Sequence, residues 1–242
     1  MDELIQITDK PIKKNWGELL SYIFLPLLFT LPVFLAFMAL FLFGVVNLSW
    51  FGLLLITVLP VCFVFTFYFY GVKPRKISLS EIGFYPIRFK WWWILITIAI
   101  AVTALVVIYL VSTGSQKLFG KDIFEIGRSK SHEVLFNDLM KYFPAWIVIL
   151  GIGIIGPLGE EIIFRGAIYT WFRRYYNVSF SVISSAIIFA ILHLNLPQII
   201  VGIIIGCTLA LVFEKTKSIW ACFALHAIYN TSVVLIVYFN IF

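Results

Sequence analysis

Seven stretches of almost unbroken apolar sequence dominate the chain, at about 19–43, 50–70, 91–112, 144–172, 179–194, 197–213 and 218–240. A hydrocarbon core about 30 Å thick takes roughly 20 apolar helical residues to cross, and backbone in lipid must satisfy its own N–H and C=O groups. The pattern predicts an all-α polytopic membrane protein, a bundle of about seven transmembrane helices with a range of 6–8. With 62% of residues hydrophobic and 12% charged, no length remains for a sizeable soluble domain. The net charge of +6 does not indicate nucleic acid. The basic residues sit in short loops beside apolar runs, where they set membrane orientation.

Placing the N-terminus in the cytoplasm puts twelve Lys or Arg inside, in the tail and in the loops after the second, fourth and sixth runs, against five outside in one long loop. Residues 1–18 then form a polar cytoplasmic tail, without the features of a removable signal, so the first helix is expected to remain as an anchor. Residues 19–143 form a three-helix region ending in a polar loop at about 113–143, which could hold a helix on the membrane surface. Residues 144–242 form a four-helix membrane core. All eight tryptophans fall near proposed helix ends, as an aromatic belt requires. The fifth and sixth runs, joined through Asn195, Leu196 and Pro197, predict a tight antiparallel hairpin.

Inside the fourth run stand Glu160, Glu161 and Arg165. A charge at mid-bilayer costs about 2.5–3.5 kcal/mol on insertion scales, so the three oppose insertion by roughly 8–10 kcal/mol before any pairing. Helix geometry divides them. Glu161 and Arg165 stand four apart on one face, whereas Glu160 is rotated by about 100° and has Phe164 four residues on. Glu161 is therefore expected to partner Arg165. Glu160 is left for chemistry, an unpaired carboxylate shielded from bulk water and suited to general-base work near neutral pH.

Of the three histidines, His132 sits in the polar loop, while His193 and His226 lie in apolar runs. Phe189 precedes His193 by four residues and Asn230 follows His226 by four, so each pair shares a helix face. At about 1.5 Å per residue from the cytoplasmic helix ends, Glu160, His193 and Asn230 all lie roughly 20 Å deep, with His226 about one turn shallower. Three spans thus bring polar groups to a similar level, which predicts a shared site.

Other patterns carry less. Gly151, Gly153 and Gly156 spell GxGxxG without a preceding strand, so they predict close packing and, with Pro157, a bend or break just before Glu160 rather than a nucleotide site. Gly202 and Gly206 make a helix-packing face. Cys62, Cys207 and Cys222 have no metal-like or paired spacing and are expected as buried small side chains. Two Asn-x-Ser triplets, at Asn47 and Asn177, are weak glycosylation signals so close to a membrane.

Glu160-Glu161-x-x-x-Arg165, Phe189-x-x-x-His193 and His226-x-x-x-Asn230, in that order on successive apolar segments, resemble the three motifs of the CPBP intramembrane proteases. That family includes type II CAAX prenyl endopeptidases and bacterial Abi or bacteriocin-processing proteins. The resemblance covers about 144–240 and implies a peptide hydrolase in a bacterial cell membrane, acting on a membrane-associated peptide or lipidated protein. It implies that Glu160 and His193 activate a water and that His226 with Asn230 stabilises the oxyanion, with Glu161, Arg165 and Phe189 in support. A zinc held by Glu160, His193 and His226 is the alternative way of activating the water. A scaffold or bacteriocin immunity protein, and a proton-coupled transporter, are the competing classes.

Overall fold

The computed structural model describes residues 14–85, 95, 99, 106, 110, 113–114, 116–117, 137–193 and 196–239. The run expected at 91–112, most of the polar loop with His132, and Asn195 lie outside the described residues. Among the described residues the main helical bodies are α1 (Trp16–Leu42), α2 (Leu48–Val72), α3 (Ala145–Tyr175), α4 (Val178–Ile191), α5 (Leu196–Thr216) and α6 (Ile219–Tyr238), and residues 137–142 are helical as well. Five are long and apolar enough to cross a membrane, while α4, with 14 residues, is shorter. The protein is an all-α, multi-pass integral membrane protein.

Asparagine starts three of these helices. The Oδ1 atoms of Asn15, Asn47 and Asn177 accept from the backbone N–H groups of Glu18, Trp50 and Phe180 at 3.1, 3.0 and 2.9 Å. Each satisfies one of the N–H groups that a helix start leaves unpaired, a contribution of about 1 kcal/mol. The two Asn-x-Ser triplets are therefore helix N-caps, with the asparagine side chain turned onto its own first turn.

α3 is the axis of the bundle. Of its most apolar window 56% is buried inside the protein, against 11% for α1 and 17% for α2. Glycines let the neighbours come close, as a Cβ at Gly159 would lie 3.2 Å from the Pro60 carbonyl oxygen on α2 and one at Gly153 would lie 2.5 Å from Thr231 Oγ1 on α6. The expected hairpin is formed by α4 and α5. A Cβ at Gly202 or Gly206 would sit 3.2 or 3.0 Å from Cα of Ala190 or Ala186, so the GxxxG face is the hairpin seam.

The hydrogen-bond ladder of α3 widens twice. Its turns at Ile149–Ile155 and Ile162–Tyr169 are π-helical and flank an α-helical segment, Gly156–Glu161. Pro157 does not break the helix, contrary to one expectation. The missing N–H is absorbed by the wide turn before it, where the Gly156 N–H reaches back to the Gly151 carbonyl. Both carboxylates of the motif thus stand on one α-helical turn and a half between two wide turns.

One end of the bundle gathers charge. Arg173 donates to both carboxylate oxygens of Glu214 (3.2 and 3.1 Å), and Lys217 and Tyr169 donate to Glu214 Oε2 at 2.7 and 2.8 Å. Arg174 and Tyr22 donate to Glu18 Oε1 at 2.9 and 2.6 Å. The start of α1, the end of α3 and the α5–α6 turn therefore share a face, the one that the basic-residue pattern assigns to the cytoplasm. Trp171 is a correction to the belt. It is fully buried in this cluster and donates Nε1–H to the Asn15 carbonyl at 3.1 Å, whereas Trp16, Trp50 and Trp146 are exposed. The turn after α2 folds onto the same end, where Gly83, at φ +95°, accepts the first N–H of α6 from Ile219 at 2.8 Å.

Candidate active site

Glu161 is 0% exposed and Arg165 2%, and Arg165 Nη1 donates to Glu161 Oε1 at 3.0 Å. The guanidinium also donates to the Gly206 carbonyl at 3.3 Å and lies 5.0 Å from the Phe189 ring centre. One charge is thus balanced by a carboxylate, a backbone carbonyl and an aromatic face, as burial requires.

Glu161 has a second partner that helical phase did not disclose. His226, buried on α6, places Nδ1 2.7 Å from the same Oε1. An ionised carboxylate only accepts, so the shared proton sits on Nδ1. The other ring nitrogen, Nε2, then faces Glu160 Oε2 across 3.7 Å. Reading Glu161 solely as the partner of Arg165 is therefore incomplete, since it also orients an imidazole.

Glu160 contrasts with its neighbour. Its side chain is 33% exposed, and its Oε2 is a buried atom without a hydrogen-bond partner among the described residues. A buried acceptor is normally satisfied by protein or by water, and this one lies beside an imidazole nitrogen. Oε2 of Glu161 is likewise buried without a partner among those residues.

Phe189, 2% exposed on α4, is the wall shared by the other groups. Its ring packs edge-on against Phe164, His193 and His226, with centroids 5.0, 5.0 and 5.9 Å away. His193 follows the end of α4 with Nδ1 3.0 Å from the Phe189 carbonyl oxygen, an orientation in which Nδ1–H donates and Nε2 is the unprotonated nitrogen. Asn230 is half-buried on α6, and its Nδ2 donates to the Ile152 carbonyl in the first wide turn of α3 at 3.0 Å. Glu160, Glu161, Arg165, Phe189 and His226 thus form one contact network, with His193 attached through Phe189 and Asn230 through the backbone just before Glu160.

Among the described residues, no three His, Cys, Asp or Glu side chains gather in a group that could hold a metal ion. Glu160, His193 and His226 are therefore not gathered as a three-ligand set here, although each imidazole engages only Nδ1 and keeps Nε2 open. The sequence signals missed were the link from Glu161 to His226, 65 residues apart, and the commitment of Asn230 to a backbone carbonyl.

Comparisons with known proteins agree with the motif reading. The sequence profile of the family described as "Type II CAAX prenyl endopeptidase Rce1-like" matches residues 142–232. A Bacillus subtilis (strain 168) protein named "Putative membrane peptidase YdiL" is 33% identical over 113 residues, which cover 47% of this chain and 46% of that protein. The chain therefore spans about half the length of this curated relative. No solved structure matches it. Residues 142–232, which carry the two carboxylates, both membrane histidines and Asn230, are thus similar to the Rce1-like type II CAAX prenyl endopeptidases.

Proposed function

We propose that the protein is an intramembrane endopeptidase that hydrolyses a peptide bond of a membrane-associated peptide or lipidated protein through a water activated by Glu160. The observation that carries this reading is the division of labour between adjacent carboxylates. Glu161 is held by Arg165 and His226, whereas Glu160 Oε2 accepts no hydrogen bond from the described residues and lies 3.7 Å from His226 Nε2. In this reading Glu160 takes a proton from water, and the hydroxide adds to the scissile carbonyl carbon. His193 shares that proton and passes it to the departing amine nitrogen as the C–N bond breaks. The oxyanion is met by a protonated His226 Nε2 and by the second N–H of Asn230, the first being bound to Ile152.

The test compares detergent-extracted wild type with Glu160→Ala on a quenched fluorescent peptide ending in a prenylated Cys-aliphatic-aliphatic-X sequence. In parallel, small membrane-associated peptides are compared between cells carrying either form. Peptides that depend on Glu160 identify the substrate. Undiminished cleavage by Glu160→Ala ends the assignment.

A further inference from the structure

The first wide turn of α3 leaves one carbonyl without a helical donor. In the α pattern the Ile152 carbonyl would receive the Gly156 N–H, but that N–H is directed to the Gly151 carbonyl. In the π pattern it would receive the N–H of residue 157, which is proline and has none. Asn230 Nδ2, arriving from α6, donates to it at 3.0 Å. The close approach that permits this is set one residue away on each helix, where Gly153 faces Thr231.

We infer that Asn230 is a positioning residue. Its amide braces the carbonyl that Pro157 orphans, and so fixes the segment Gly156–Glu161 that aims Glu160 at the site. The inference rests on the proposed peptidase reading and assigns Asn230 a task beyond the oxyanion. Removing the brace leaves a polar carbonyl unmet inside the bundle, and the α3 backbone must shift to find another donor. Because Glu160 is only eight residues further along the same helix, a shift there displaces the carboxylate.

A double-mutant cycle between Asn230→Ala and Pro157→Ala, on the full chain in detergent, tests it. Alanine at position 157 restores an N–H that can reach the Ile152 carbonyl, so it replaces the brace without touching the site. Asn230→Ala alone is expected to lower the unfolding midpoint by roughly 2–8 °C and kcat on the prenylated probe peptide by about 100-fold, with KM little changed. In the Pro157→Ala background the midpoint loss disappears, and at least about tenfold of the kcat loss is recovered, a clear departure from additivity. Additive midpoints overturn the brace, and coupled midpoints without any recovery of kcat overturn the positioning role. If the wild type cleaves nothing, the peptidase reading is what fails, and the midpoint cycle alone still decides the brace.

Discussion

Substituting Glu161→Ala should unbalance two buried cations or potential cations at once. Oε1 of Glu161 is the acceptor for both Arg165 Nη1 (3.0 Å) and His226 Nδ1 (2.7 Å), and the three side chains are 0%, 2% and 4% exposed. Removing one member of a buried ion pair costs about 3–5 kcal/mol, because the partner stays buried and uncompensated. For a chain of this size each kcal/mol shifts the midpoint by roughly 2–4 °C, so a loss of about 6–20 °C is expected. Thermal unfolding of detergent-purified protein measures it, with the monodisperse fraction as a second reading. Glu161→Gln keeps an acceptor oxygen in place and should lose less. Replacing Glu161 and Arg165 together by leucine should recover part of the stability, since hydrophobic residues often match or exceed a buried pair. A Glu161→Ala midpoint within about 2 °C of wild type would refute the reasoning, for it would mean that Arg165 and His226 do not depend on this carboxylate.

Three further outcomes are expected. Phe189→Ala removes the ring that Phe164, His193, His226 and Arg165 all touch, and should cost about 3–5 kcal/mol in chemical or thermal unfolding; Phe189→Leu should lose less stability but still lower kcat. Gly83→Ala meets both a backbone at φ +95° and the Phe213 ring 2.5 Å from the new Cβ, so unfolding experiments should show a loss of about 1–3 kcal/mol. Protein stripped by a chelator, and shown by elemental analysis to be free of metal, should keep its cleavage rate. A rate lost on stripping and restored by zinc would replace the Glu160-activated water by a metal-bound one.

Local pattern made much of this arrangement legible. Apolar run length gave the helices, four-residue spacing gave the Glu161–Arg165 pair, and small residues at Gly202 and Gly206 gave the α4–α5 seam. What escaped depends on contacts between distant segments or on departures from the regular helix. Nothing near Glu161 says that His226 will arrive from α6. The wide turns around Gly156–Glu161 are hidden because a 3.6-residue template assumes they are absent, so Pro157 was expected to bend or break a helix that in fact runs on. Trp171 resembles a boundary tryptophan because the end of α3 is rich in charge, but that charge is paired with Glu18 and Glu214 over a tryptophan that is itself fully buried. Asn230 shows a subtler limit, since its spacing from His226 predicts the face it shares and not the carbonyl it binds.

The central claim is that two adjacent carboxylates have different tasks, and it is tested most directly by measuring cleavage and unfolding together for Glu160→Ala and Glu161→Ala. The account predicts that Glu160→Ala lowers kcat by about 10²–10⁴-fold with an unchanged midpoint, while Glu161→Ala lowers the midpoint. Full cleavage by Glu160→Ala, or an equal loss of stability in both variants, would contradict it.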